Sequence, residues 1–145
     1  MTLVIAVLLC WLLLVVAALH AYWGGGGLWP AASERELVAT VIGHAQARRM
    51  PPPWLCMLVA IAIGVAAVWP MLLVGVEPGA PSRPLIVAGG VAILLVFLLR
   101  GLAGYLPVWR RLHPQEPFAA YDRRFYAPLC LQVAAGYAIL LLQGR

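Results

Sequence analysis

The sequence predicts an all-α fold: a polytopic transmembrane four-helix bundle with a short interfacial amphipathic helix between the first two spans. Hydrophobic residues make up 64% of the 145 residues and charged residues only 10%, whereas soluble domains carry about 25% charged residues. Four apolar runs alternate with polar connections. A soluble chain of this length could not bury so much apolar surface, because small domains keep much of their area exposed. One membrane domain, residues 1–145, is predicted.

Each apolar run is long enough to be a membrane span, since a bilayer core about 30 Å thick requires about 20 helical residues. The predicted spans cover approximately residues 3–22, 54–76, 84–106 and 125–142. The first run could instead be a signal peptide. No Lys or Arg precedes it, its apolar core is longer than that of a signal peptide, and no A-x-A site follows. We therefore expect a retained helix.

The connections between the spans differ in length. Residues 77–83, rich in Pro and Gly, form a short link that should make the second and third spans antiparallel neighbours. The first long connection starts with four glycines and then contains Ser33 and Glu36, spaced as in a capping box. Leu37 and Val41 follow on one helical face. This segment is predicted to be an amphipathic helix in the membrane interface.

Arginine placement predicts the orientation of the chain. The sequence has no lysine, and its net charge is +5. The two long connections hold Arg35, Arg48, Arg49, Arg110, Arg111, Arg123 and Arg124, whereas the other side holds Arg83 and Arg145. Positive charge favours the cytoplasmic side. We expect a bacterial inner-membrane protein with cytoplasmic long connections and both termini periplasmic.

Membrane lipids are the expected partners of this positive charge, because anionic headgroups attract arginines close to the membrane surface. The chain has no basic face with interleaved aromatic residues, so no nucleic-acid partner is predicted. Small residues four or three apart, such as Ala60 and Gly64 or Gly101 and Gly104, predict close contacts between spans.

Neither a cofactor nor a metal is predicted from the cysteines and histidines. The three cysteines lie in separate apolar runs without a CxxC motif. The three histidines, His20, His44 and His113, show no i,i+3 or i,i+4 pairing. A bis-histidine haem needs two ligands facing each other inside the bundle, and only His20 is expected there. The four glycines lack the remaining residues of a phosphate-binding loop.

Polar residues at membrane depth are the candidate functional residues, because each is costly to keep there. Arg100, about 24 Å into the third span at 1.5 Å per residue, lies at a level similar to His20 and Asp122. These three side chains predict a polar pocket near the cytoplasmic face. Arg100 would bind an anionic headgroup or substrate, and His20 and Asp122 would transfer protons. The pocket would be lined by Tyr22, Trp23 and Tyr126.

A purely structural interpretation of the same residues is also open. Arg100 would extend to the interface or pair with Asp122, fixing the third span against the fourth. His20 would then be a helix-end residue, and the aromatic residues would form a membrane belt. A cavity shared by the three side chains would favour binding or catalysis, whereas a dry Arg100–Asp122 pair would favour structure alone.

Three functions remain compatible with the sequence. The first is a membrane-embedded binding or accessory protein for lipid or a partner membrane protein. The second is a membrane enzyme that acts on a lipid-like substrate through the predicted pocket. The third is a small transporter, which would need a homo-oligomer because four short spans leave little room for a path. No acidic residue lies at mid-membrane depth to carry a coupling proton.

Two clusters carry a resemblance to a known family. One is His20-x-Tyr22-Trp23 followed by Gly and later Trp29-Pro30, and the other begins at Asp122-Arg123 and continues through Tyr126 to Pro128-Leu129-Cys130-Leu131. With the chain length, the four runs and an arginine near the end of the third, they resemble a bacterial family of small four-helix integral membrane proteins. That family is described only as a domain of unknown function. The resemblance implies the fold but no activity and no catalytic residue.

Overall fold

The computed structural model describes residues 1–75 and 82–143, and within these ranges the chain forms helices and no strand. Most of the predicted short link between the second and third spans lies outside these residues. The helices are α1 (Thr2–Gly24), α2 (Glu34–Val41), α3 (Pro53–Leu73), α4 (Arg83–Ala103), α5 (Pro107–Leu112), α6 (Phe118–Tyr121), a π-helical turn (Asp122–Tyr126) and α7 (Ala127–Gln143).

Among the described residues, four helical segments are long and apolar enough to cross a membrane: α1, α3, α4 and the continuous segment Phe118–Gln143. We call them spans 1 to 4. Many of their large apolar side chains face outward, among them Trp11 at 67% and Leu8 at 64% exposure. Such outward faces suit a protein whose surrounding solvent is lipid. The predicted all-α fold with four spans and a short amphipathic helix is confirmed.

The spans pack mainly as two pairs. Span 1 (α1) lies along span 2 (α3), and span 3 (α4) lies along α7 of span 4, with fewer contacts between the two pairs. A shared core joins the pairs, in which Leu13, Leu73 and Tyr137 are almost fully buried. Spans 2 and 3 also touch, because the Trp69 indole N–H donates to the Ile86 carbonyl over 2.9 Å. This contact joins the end of α3 to the start of α4, as expected of antiparallel neighbours.

Small residues allow the closest approach between α4 and α7. A Cβ added at Gly101 would lie 2.7 Å from the Leu131 side chain, and one at Gly104 would lie 2.6 Å from the Ala127 Cβ. The predicted contact at this glycine pair is confirmed. Gly64, by contrast, has no atom within 4 Å of the position where a Cβ would lie, so it is not a point of close approach.

Span 4 begins earlier than the apolar run indicates, at Phe118 instead of Phe125. Its first turns widen into the π-helical turn, where the Ala127 N–H donates to the carbonyl of Asp122. Pro128 follows directly, and a proline ring clashes with the preceding turn of a regular α-helix. The wider turn accommodates that ring. Span 3 ends at Ala103 instead of Leu106.

Both long connections lie at one end of the bundle, which we call the arginine-rich end. The Ala45 N–H donates to the Leu112 carbonyl over 3.1 Å, and the Gln115 N–H donates to the Gly43 carbonyl over 3.3 Å. These bonds tie the connection before α3 to the one before span 4. The prediction that the two connections share one side is therefore confirmed.

The short helix α2 begins as predicted, with the Ser33 hydroxyl accepting from the Glu36 N–H over 3.3 Å. The Glu36 carboxylate reaches back one residue further than in a standard capping box and accepts from the Ala32 N–H over 3.0 Å. Leu37 and Val38 are almost completely buried by the protein itself. The apolar face of α2 is therefore covered by this chain, in part by α6.

Candidate functional site

Arg100 and Asp122 form a direct ion pair between spans 3 and 4. Arg100 lies in the last turn of α4, and Asp122 starts the π-helical turn. The guanidinium Nη2 lies 2.6 Å from the Asp122 Oδ1, with side-chain exposures of 30% and 4%. A buried carboxylate needs such a partner, because removing a charge from water is expensive.

Trp109 of α5 completes this cluster. Its indole N–H donates to the Asp122 Oδ2 over 2.9 Å, so both carboxylate oxygens have a donor. The Arg100 guanidinium carbon lies 4.7 Å from the centroid of the Trp109 ring, within the range of a cation–π contact. Trp109 was missed as a site residue, because a tryptophan in an arginine-rich connection is equally typical of a membrane-interface belt.

One nitrogen of Arg100, Nη1, is buried and has no hydrogen-bond partner among the described residues. It is enclosed by protein, so a lipid headgroup cannot reach it in this arrangement. Both carboxylate oxygens of Asp122 therefore have hydrogen-bond donors, whereas one nitrogen of Arg100 has no acceptor among the described residues. Its geometry is that of a pairing contact between spans 3 and 4.

His20 and Trp23 lie elsewhere, in an apolar groove between α1, α3 and the segment that leads into α3. The groove has a volume of about 240 Å³. Its apolar walls include Val41, Ile42, Met50, Leu55, Cys56 and Val59. The groove is at the arginine-rich end, because α1 ends there and α3 begins there.

Hydrogen bonds fix both polar side chains of this groove. The His20 Nδ1 lies 2.8 Å from the Val16 carbonyl, which can only accept, so the proton is on Nδ1. In the neutral ring the Nε2 then remains as an acceptor. The Trp23 indole N–H donates to the Trp29 carbonyl over 2.8 Å. The His20 and Trp23 rings meet edge to face, with their centroids 5.1 Å apart.

The two tyrosines of the predicted pocket lie apart from each other. Tyr22 is 49% exposed and covers Gly27, where a Cβ would lie 2.2 Å from its ring. The Tyr126 hydroxyl donates to the Thr40 carbonyl over 3.2 Å, which ties span 4 to α2. The six predicted pocket residues thus divide into an ion pair, a groove pair and two separate tyrosines. Within the described residues no hydrogen bond or ion pair links His20 to Arg100 or Asp122.

An aromatic stack extends from the ion-pair cluster across the arginine-rich end. The His113 ring stacks on Trp109 at 4.0 Å, and His44 meets His113 edge to face at 5.4 Å. Spacing along the chain could not reveal this histidine pair, because its members belong to different connections. No group of three or more metal-binding side chains occurs in the parts of the chain that the structure describes.

The four spans and the helical connections define a multi-pass, all-helical membrane protein. The chain belongs to a family of proteins of unknown function, DUF3995, whose model matches residues 13–137. The match includes both clusters on which the resemblance in the sequence rests. Comparisons with curated proteins and with solved structures found no match.

Proposed function

We propose that this protein is a membrane-embedded lipid-binding protein of the bacterial inner membrane, which holds part of an acyl chain in the groove beside His20 and Trp23. The observation that carries the proposal is the groove itself, an apolar recess of about 240 Å³ with two fixed polar groups. Ligand sites for complete small molecules usually measure about 300 Å³ or more. The smaller volume suits one segment of a lipid.

The surroundings of the groove favour an anionic lipid. Arg49 directly precedes Met50, which forms part of the groove wall. Arginines at the membrane surface attract anionic headgroups, at about 1 kcal/mol for each charge near the surface. A lipid with its chain in the groove would therefore place its headgroup among positive charges. We assign Arg100 and Asp122 a structural role, since they pair with each other outside the groove.

Filling the groove tests this proposal. Val59→Trp should reduce the amount of lipid that remains bound by about tenfold, because the indole occupies the space of the acyl chain and a 1.4 kcal/mol loss corresponds to that factor. Native mass spectrometry of protein released from gentle detergent measures the bound lipid.

Leu58→Trp is the matched control, because Leu58 directly precedes Val59 in α3 and is 55% exposed on the outer surface of the helix. This variant should retain lipid like the original chain. Equal lipid retention in both variants would contradict binding in the groove. A bound protein mass in place of lipid would instead support an accessory subunit of a membrane complex.

The proposed orientation places the arginine-rich end in the cytoplasm and both termini in the periplasm. Ser82, an exposed residue just before α4, lies at the opposite end. In a variant whose native cysteines are replaced by alanine, Ser82→Cys should react with a membrane-impermeant maleimide added to intact cells. Ala45→Cys, at the arginine-rich end, should react only after lysis. The reverse labelling pattern would show that the proposed orientation is wrong and that the arginine-rich end faces the periplasm.

A further inference from the structure

A second cavity, polar and separate from the groove, lies at the arginine-rich end. It has a volume of about 440 Å³. Three stretches of chain form its walls: Arg35 from α2, Arg48 from the segment before α3, and Gln115 with Glu116 from the segment before α6. Because the walls come from both long connections, the cavity exists only when these connections pack together.

Hydrogen bonds hold these walls in place. Besides the bonds between the two connections described above, the Gln115 side-chain amide donates to the Ala45 carbonyl over 3.4 Å. The Met50 N–H donates to the Glu34 carboxylate over 2.9 Å, which ties α2 to the segment before α3. Ala39, Ala45 and Ala47 line the remainder of the cavity, and their small side chains leave its interior open.

The positive charge in this cavity is not neutralised by the chain. Neither the Arg35 nor the Arg48 side chain makes a hydrogen bond or an ion pair within the described residues. The three glutamates at this end bind backbone N–H groups instead: Glu34 accepts from Met50, Glu36 from Ala32 and Glu116 from Ala120. Two guanidinium groups therefore face one partly engaged carboxylate.

We propose that this cavity binds a hydroxylated phosphate ester. Guanidinium groups donate paired hydrogen bonds that match the geometry of phosphate oxygens. The second carboxylate oxygen of Glu116 and the side-chain oxygen of Gln115 accept no hydrogen bond within the described residues. These oxygens are suited to accept from ligand hydroxyl groups. A free polyol phosphate and the headgroup of phosphatidylglycerol share this chemistry.

The soluble form of this ligand is tested with glycerol 3-phosphate. Isothermal titration calorimetry is carried out on protein in phosphatidylcholine nanodiscs. Arg35→Gln with Arg48→Gln should weaken binding by about tenfold or more, since charge-assisted hydrogen bonds are about twice as strong as neutral ones. Arg123→Gln with Arg124→Gln removes the same charge from exposed residues outside the cavity, and this control should bind like the original chain.

The membrane form is tested in nanodiscs that contain phosphatidylglycerol and phosphatidylcholine in equal amounts. Both lipids carry the same acyl chains, so a preference for phosphatidylglycerol in native mass spectrometry reports on the headgroup alone. Binding of glycerol 3-phosphate without this preference identifies a free ligand, and the preference without glycerol 3-phosphate binding identifies a lipid headgroup. Either result supports the site if Arg35→Gln with Arg48→Gln removes it and the control pair does not.

Two outcomes would overturn the site: neither probe binds the original chain, or both arginine pairs reduce binding equally. Ala47→Trp provides a charge-neutral test, because its indole would fill the cavity and should also abolish binding. Val59→Trp should leave binding to this cavity unchanged, because Val59 belongs to the groove. The lipid-binding proposal and the phosphate-ester site can therefore fail independently.

Discussion

Asp122→Ala is expected to destabilise the protein by about 3 kcal/mol, the lower end of the cost of breaking a buried ion pair by removing one partner. The substitution leaves the Arg100 guanidinium without its counter-ion and the Trp109 N–H without its acceptor. The free energy of unfolding can be measured by titration of detergent micelles with sodium dodecyl sulfate. Arg100 is 30% exposed, so it can move partly toward the interface, and we expect the cost to stay near the lower end.

Two further variants separate charge pairing from hydrogen bonding. Asp122→Asn keeps an oxygen acceptor for the Trp109 N–H but removes the negative charge, so its cost should lie between zero and that of Asp122→Ala. Arg100→Leu combined with Asp122→Leu should recover most of the lost stability, because replacing a whole buried pair by apolar residues is often neutral or stabilising. If the double variant is as unstable as the two single variants added together, the two residues do not act as a unit.

This cluster illustrates what the sequence could predict. Arg100 stands out because a charge within an apolar run is rare and costly, and Asp122 lies just before the fourth run on the same side. Their pairing was one of two interpretations open from the sequence. The role of Trp109 could not be predicted, because its position depends on how the connection after span 3 folds back on span 4. The separation of His20 from the ion pair also depends on the rotation of α1 in the bundle, which nearly uniform apolar helices do not encode.

The spans themselves follow from the sequence, because a lipid bilayer requires about 20 apolar residues in each crossing. The start of span 4 does not follow. Residues 122–124 are all charged, so the apolar run begins only at Phe125. The helix nevertheless begins earlier, at Phe118, and passes through the π-helical turn. The helix α2 was predictable at its start, because the spacing of Ser33 and Glu36 is a local signal.

A second substitution with a large expected effect concerns Pro70, which lies inside α3. Proline has no backbone N–H, so the carbonyl four residues earlier, that of Ala66, loses its helical partner. In a membrane no water is present to replace it. The Tyr137 hydroxyl of α7 donates to this carbonyl, and Tyr137 is fully buried. The tyrosine thus satisfies a group that the proline leaves unpaired, and it joins span 2 to span 4.

Tyr137→Phe should therefore lower the free energy of unfolding by about 1–2 kcal/mol, the range for hydrogen bonds between membrane helices in model peptides and for an unsatisfied buried carbonyl. The substitution keeps the aromatic ring, so packing in the core changes little. The same titration with sodium dodecyl sulfate measures the change.

Pro70→Ala supplies the matched background for this experiment. Alanine at this position restores the N–H, which can donate to the Ala66 carbonyl within α3. In that background Tyr137→Phe should cost less than about 0.5 kcal/mol, because the Ala66 carbonyl keeps its hydrogen bond within α3 and loses only a second one. The comparison of the two costs is a double-mutant cycle. An equal cost in both backgrounds would show that Tyr137 stabilises the bundle independently of Pro70. A cost confined to the proline background would show that the proline and the tyrosine form one unit, which joins span 2 to span 4.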